Sequence, residues 1–358
     1  MSSMWGSNIK ISVFGESHGE AIGIVLDGLP AGEKINFDEI NIQMKRRRPG
    51  GKNFVTTRKE SDTAHVISGV FEGKTTGTPI CAIIYNENAS SKDYEKSRFL
   101  LRPGHADFTA HVKYKGFEDF RGGGHFSGRL TAPLVFAGAI CRQILAKKGM
   151  FIGSHIYSIG NIFDEKFNLV DISCEGLNRL SQCAFPVLNE ETKKKMEEKI
   201  LEVKAQKDSV GGIIECAVVG VPCGIGEPIF DNIESKISSL IFGIPGVKGV
   251  EFGGGFELSK KRGSICNDNF TVSNGVIKTT TNNSGGILGG ISSGMPIVFK
   301  VAFKPTPSIA KEQMTVNLKS GLTEKINIQG RHDPCIAVRA GAVVEAAAAI
   351  AILDLIKG

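Results

Sequence analysis

One tryptophan and four tyrosines in 358 residues leave few aromatic platforms, and nowhere do basic residues interleave with aromatics in the way that stacks bases. Nucleic acid is therefore not an expected partner. No Cys-x-x-Cys pair occurs among the eight cysteines, at 81, 141, 174, 183, 216, 223, 266 and 335, which disfavours a zinc site or a redox dithiol. Reduced, mostly buried thiols and no metal are expected. The chain also lacks an uncharged apolar run of about 18 residues and a basic-then-apolar start. Those absences point to a cytoplasmic protein with no membrane partner.

Two excesses stand against these absences. The net charge of +6 is modest, but Lys45-Arg46-Arg47-Arg48-Pro49-Gly50-Gly51-Lys52 places five positive charges in eight residues, a pattern that suits an anionic partner. Glycine, 44 residues or about 12% of the chain against an average of about 7%, gathers in clusters.

In chain order, Ile9 to Val13 reads as a strand leading into Phe14-Gly15-Glu16-Ser17-His18-Gly19, a turn that packs an acid, a hydroxyl and an imidazole between glycines. Ala21 to Leu26 reads as the next strand, and Asp38 as the N-cap of a short helix that Pro49 stops. Val66 to Val70 and Pro79 to Tyr85 read as further strands, and a small-residue helix runs past Arg129 to about Lys147. Residues 151 to 209 read as a connecting insertion with an amphipathic helix from about Glu190 to Lys207, its apolar stripe formed by Met196, Ile200 and Val203. An Ala-rich helix near Ala340 to Leu355 closes the chain.

The second half repeats the first. Gly28, Pro30 and Gly32 recur as Gly220, Pro222 and Gly224, and Phe37, Asp38 and Ile40 as Phe230, Asp231 and Ile233. Ile67 to Ile80 aligns without a gap on Ser284 to Ile297, sharing five identities in fourteen positions, three of them glycines. The order of these matches predicts an internal duplication, about 10–148 and 212–357, of β-rich units that each end in a small-residue helix. Such helices approach closely, so they are expected to form an inner layer between two sheets, with a ligand near the pseudo-two-fold axis.

Gly15-Glu16-Ser17-His18-Gly19 fits the Gly-x-Ser-x-Gly nucleophile elbow, which raises a serine hydrolase as one reading. An elbow needs a helix after the serine, whereas Ile22-Gly23-Ile24-Val25 reads as a strand. A solvated helix end, or a non-catalytic polyanion binder, is the alternative reading of Arg46 to Lys52. Arg102, Arg121, Lys304 and Arg331 each lie in a loop beside glycine or proline, as expected of loops converging on a small polyanion. His105 and Asp333, with His18, supply the acids and base for removing a proton and protonating a leaving group.

Assembled, these residues resemble the chorismate synthase family nearly end to end. The resemblance rests on Gly15-Glu16-Ser17-His18-Gly19, Arg46-Arg47-Arg48-Pro49-Gly50, Arg102-Pro103-Gly104-His105-Ala106-Asp107, Arg121-Gly122-Gly123-Gly124, Val247-Lys248-Gly249-Val250-Glu251, Gly285 to Gly290, Lys304-Pro305-Thr306 and Gly330-Arg331-His332-Asp333-Pro334-Cys335. It implies an α+β fold, a single β-α-β sandwich domain over 1–358, assembling as a homotetramer. It implies a carbon-oxygen lyase of the shikimate pathway, in aromatic amino acid biosynthesis: anti-1,4-elimination of phosphate from 5-enolpyruvylshikimate 3-phosphate, giving chorismate. Reduced FMN would be required without net redox change, with NADPH only as an electron source and an external flavin reductase as partner.

By the same resemblance His18 would be the acid beside the departing phosphate, His105 would keep the reduced flavin correctly protonated, and Asp333 would assist removal of the ring proton. Ser17, Arg47, Arg48, Arg102, Arg129 and Arg331 would bind substrate. His125, Phe126, Ser127, Pro245, Gly246, Gly289, Lys304, Pro305, Thr306, Pro307, Ser308 and Arg331 would contact the flavin. The family usually has Arg-Ser-Ser where this chain has His125-Phe126-Ser127, and Asn-Ala where it has Pro245-Gly246. Those departures predict an altered grip on the flavin phosphate.

Overall fold

Strand-forming runs of β-branched residues, bounded by glycine turns, build two five-stranded antiparallel sheets in the computed structural model, which describes residues 3–50, 60–87, 98–328 and 332–356. The first sheet contains β1 (Met4–Trp5), β2 (Lys10–Gly15), β3 (Ala21–Asp27), β4 (His65–Ser68) and β5 (Ile80–Tyr85), in the order β1-β2-β3-β5-β4. The second contains β6 (Phe151–Ile159), β7 (Ile162–Phe163), β8 (Gly212–Val219), β9 (Val247–Phe252) and β10 (Ile297–Phe303), in the order β9-β10-β8-β6-β7. Between them lie α1 (Phe37–Arg47), α2 (Thr131–Lys147), α3 (Ile233–Ile241) and α4 (Ala337–Ile356). The fold is thus an α+β sandwich with an inner helical layer.

Each half runs strand, strand, helix, strand, strand, helix, and β2-β3-β5-β4 in one sheet matches β6-β8-β10-β9 in the other. The glycine echo has a steric cause. Gly28 and Gly220 have φ of +89° and +82°, and a Cβ would lie 2.0 Å from the Asn8 carbonyl oxygen in one half and 2.1 Å from that of Gly149 in the other. Neither position admits a side chain.

Phe151–Ile159 corrects the expected boundary of the second half: it is a full strand of the second sheet, equivalent to β2. The added material therefore lies inside the second half, after β6, and includes the helix Glu190–Ala205 with Met196, Ile200 and Val203 buried. This segment caps the outer face of the sheet through His155, whose ring nitrogens lie 3.1 Å from Asp164 and 2.9 Å from Glu215. At α1, Asn36 rather than Asp38 is the N-cap; its side chain accepts from the amides of Asp38 and Glu39.

All eight cysteines are unbridged, and burial pushes the Cys141 and Cys335 thiols up to about 12. Gly128–Lys147 is long and apolar enough to cross a membrane by composition, but its apolar window is 78% buried, as a core helix.

α2 and α4 cross at Gly138, where a Cβ would stand 2.3 Å from Ala346 Cβ and 2.8 Å from the Ala346 carbonyl oxygen. Backbone cannot yield as a flexible side chain can. Gly138→Ala should lower unfolding stability by about 1–3 kcal/mol in urea denaturation. Gly263→Ala, with nothing within 4 Å of the added methyl, should leave it within about 0.5 kcal/mol.

One buried carboxylate ties the layers together. Glu345 of α4 accepts from Arg46 at 2.7 and 2.8 Å, from Arg142 at 2.5 Å and from Ser154 of β6 at 2.7 Å. Arg46, part of the basic run expected to face an anion, is instead a core counter-ion.

Candidate active site

β2 ends at Gly15, and the chain turns through Ser17 and His18 before returning as β3, so the Gly-x-Ser-x-Gly match is a hairpin turn and not a strand-to-helix elbow. The turn is held from behind by the 122–124 glycines. The Ser17 amide donates to the Gly124 carbonyl at 3.1 Å, the Gly123 amide donates to Ser17 Oγ at 3.3 Å, and Ser17 Oγ lies 3.1 Å from His18 Nδ1. Gly122, at φ +61°, leaves no room for a Cβ, which would fall 2.2 Å from His18 Cε1.

His105 approaches on a neighbouring loop, fixed by Asp107 at 2.6 Å from its Nδ1. Lys304, from the end of β10, donates to the Gly104 carbonyl at 2.6 Å and so joins this loop to the second half. Between the halves lies an open cleft of about 530 Å³, within the range of small-molecule sites. Its walls bring together Ser17, His18, Arg102, His105, His125, Phe126, Ser127, Pro245, Gly246 and Lys304 to Ser308. Lys248 and His332 line it too, and no aspartate or glutamate does among the described residues.

The other arginines stand behind this wall. Arg47 donates to the Gly128 carbonyl at 2.9 Å and to Asp62 at 2.8 Å, and Arg129 pairs with the same Asp62 and donates to Asn86 at 2.9 Å. Both are only about 5% exposed. Burial pushes the Arg47 guanidinium down to about 10 despite Asp62, while the two arginines outweigh the effect of burial and hold the Asp62 carboxyl below its usual range.

Asp333 is buried next to the cleft residue His332 and pairs with Arg339, which donates to the Arg47 carbonyl at 3.1 Å. Arg48 caps α1 and donates to the Ser61 carbonyl at 3.3 Å, outside the cleft lining. Gly289 sits in the turn between Ile287–Leu288 and Ile291–Ser292, also outside that lining. Arg331 lies outside the described residues.

His125 lines the cleft, but both its ring nitrogens are engaged, 2.9 Å from the Gly15 carbonyl and 2.9 Å from Ser3 Oγ. It braces the opening turn and has no hydrogen-bonding capacity left for a phosphate. A second cavity of about 570 Å³ shares Arg102, His105 and His125 with the cleft and adds Arg98 and His111, but its walls also carry Phe14, Phe99, Tyr114 and Phe117 with Glu16, Asp107, Glu118 and Asp119. Its four carboxylates make it a poorer place for a polyanion than the cleft, which has none among the described residues.

Sequence reasoning passed over Lys248, Asp62, Asp107 and Arg339. Lys248 and Asp107 were visible inside the motifs Val247 to Glu251 and Arg102 to Asp107; Asp62 and Arg339 act on Arg129 and Arg47, which only the fold brings near them.

The family model described as chorismate synthase matches residues 9–356. A chorismate synthase of Dehalococcoides mccartyi (strain ATCC BAA-2100) is 46% identical over 355 residues, 99% of this chain and 96% of that protein. One from Lachnoclostridium phytofermentans is 48% identical over 355 residues, 99% of this chain and 95% of that protein. A solved chorismate synthase crystal structure superposes with a TM-score of 0.76 at 29% identity, covering 98% of this chain and 92% of that one.

Proposed function

The chain belongs to the chorismate synthase family and is a lyase that eliminates phosphate, anti-1,4, from 5-enolpyruvylshikimate 3-phosphate to give chorismate; we propose that it does so in the cleft between its halves, with His18, His105 and Asp333 as catalytic residues. The observation that carries this reading is the lining: Arg102, Lys248, Lys304 and four histidines, with no carboxylate among the described residues. A substrate with one phosphate and two carboxylates finds cations on both walls.

In this reading His18, steered at Nδ1 by Ser17, donates the proton that the departing phosphate takes up. His105 holds a proton near the cofactor, and Asp333, fixed by Arg339, lies behind the wall where the ring proton is lost. Arg47 and Arg129, just behind the wall, and Arg331 would complete the substrate clamp, which Arg48 would join only by leaving the Ser61 carbonyl. Because Asp62 holds Arg47 and Arg129 together, a substrate carboxylate engages them only in competition with it.

The same cleft fits reduced FMN. Pro245, Gly246, Gly122 and Gly123 give low walls for a planar ring, and Lys248 and Lys304 stand ready for its phosphate. When bound, the reduced flavin supplies transient electron density to the breaking C–O bond and recovers it. From the family resemblance the reading takes an external flavin reductase as the supplier of electrons, with NADPH only as their source. It also takes the chain as one domain of a cytoplasmic homotetramer. Large apolar side chains exposed at Phe270, Val272 and Ile277, on the hairpin Phe270–Thr279, support self-association.

Lys304→Glu tests the placement of the flavin. Fluorescence titration should show FMN binding weakened at least about tenfold, since a favourable charge-assisted contact becomes a repulsion. FMN bound as tightly as by the parent would put the flavin elsewhere.

A further inference from the structure

Asp107 opens the helix Asp107–Tyr114 and receives four donors on two oxygens. Its Oδ1 accepts from His105 Nδ1 at 2.6 Å and from Arg102 Nη2 at 2.6 Å; its Oδ2 accepts from Arg102 Nε at 2.8 Å and the Arg102 amide at 2.9 Å. A carboxylate so saturated with donors has no room for a proton of its own. Burial alone would raise the Asp107 carboxyl, but the hydrogen bonds from Arg102 and His105 hold it well below the usual range.

An ionised acceptor at Nδ1 fixes where His105 carries its proton. Nδ1 keeps the hydrogen, and Nε2 is the nitrogen left for chemistry. Arg102 Nη2 also lies 3.1 Å from Nδ1, but with Nδ1 protonated both groups are donors, so they meet only through their shared acceptor. The same Nη2 reaches on to the Gly122 carbonyl at 2.6 Å. Gly122 is the residue pressed against His18, where a Cβ would stand 2.2 Å from the imidazole.

A continuous line of polar contacts thus runs from His105 through Asp107 and Arg102 to the turn that backs His18. We infer that Asp107 is a positioning residue for the reaction: directly it sets the tautomer of His105, and through Arg102 it fixes the spacing between His105 and His18. Arg102 accordingly serves as a brace, two of its three side-chain nitrogens being committed to Asp107 and Gly122. The inference rests on the proposed acid-base roles of the two histidines.

The test is Asp107→Asn in the full chain with ¹⁵N-labelled imidazoles and neither substrate nor flavin present. Long-range ¹H–¹⁵N spectra resolve the tautomer of each of the seven histidines. The parent should show His105 as the Nδ1–H form. Asparagine cannot accept from all four donors, so the variant should move His105 to the Nε2–H form or a mixture. The signals of His65 and His155, which lie against Tyr85 and between Asp164 and Glu215, report an intact fold when unchanged. In turnover, kcat should fall on the order of 10²–10⁴-fold while KM changes about threefold or less.

Asp107→Glu keeps the charge one methylene further away and should retain the Nδ1–H form with a smaller loss of kcat. That variant keeps the inference testable should the asparagine protein not fold. An unchanged His105 tautomer in Asp107→Asn overturns the inference. A changed tautomer with unchanged kcat overturns it as well, by removing His105 from the reaction. Full activity in His105→Ala would overturn the underlying assignment of roles while leaving the tautomer result standing.

Discussion

His18→Gln should lower kcat on the order of 10²–10⁴-fold, the span expected when a positioned proton donor is lost. Glutamine keeps a hydrogen-bonding side chain of similar reach in the turn, so Ser17 and the 122–124 glycines stay in place and the loss is one of proton transfer. KM should move far less, because the cations of the cleft, Arg102, Lys248 and Lys304, are untouched. Gly122→Ala should reproduce much of the loss without altering any ionisable group. Its methyl would overlap the imidazole at 2.2 Å and the residue would be held at φ +61°. Rapid-quench measurement of phosphate release in the two variants checks both. His18→Gln with kcat within about threefold of the parent would remove His18 from the chemistry.

Glu345→Gln should cost about 3–5 kcal/mol of stability, the range for removing one partner of a buried ion pair. Arg46 and Arg142 both converge on Glu345, which is fully buried, and neutral glutamine would leave two buried cations without a counter-charge. Burial alone would lower Arg46, yet the two-pronged contact with Glu345 outweighs it and leaves Arg46 raised. Arg142 touches Glu345 by one nitrogen only and stays lowered, by burial foremost and with Arg46 adding to it. The Glu345 carboxyl, which burial would raise, is held below its ordinary value by Arg46, Arg142 and Ser154.

A depressed folded-state carboxyl contributes stability that is present above its unfolded value of 4.5 and is lost as pH falls through the lower folded value. The parent should therefore lose stability on acidification below about pH 4.5, and Glu345→Gln should lack that component. Urea denaturation from pH 3 to 7 measures both effects, with the midpoint shifting and the slope unchanged.

Much of the architecture was legible because it rests on local necessity. Gly28 and Gly220, and Gly69 and Gly286, mark places where a side chain would meet backbone, while Gly32 and Gly224 hold positive φ in open space; kept in register, these pairs disclose the repeated order of strands and helices. The boundary at residue 151 was not legible: Phe151–Ile159 is buried on both faces and broken by Gly-Ser-His, so it shows no alternation to read. The opening turn and the loop around His105 announced themselves as sites through histidine set among glycines.

The arginines were harder for a geometric reason. Arg46, Arg47 and Arg48 succeed one another at a helix end, where each residue turns about 100° from the last. They accordingly reach Glu345 in the core, Asp62 behind the cleft and the Ser61 carbonyl. A run of like charges shows that cations gather there, but not which of them meets the ligand. The partners that decide it, Glu345 and Asp62, are distant in sequence or follow from loop closure.

Anaerobic turnover of 5-enolpyruvylshikimate 3-phosphate, followed by phosphate and chorismate together, tests the central claim most directly. With reduced FMN the enzyme should release the two in equal amounts, leave the flavin reduced, and do neither with oxidised FMN or with none. Phosphate release that is indifferent to the flavin, or none under fully reduced conditions, would contradict the account.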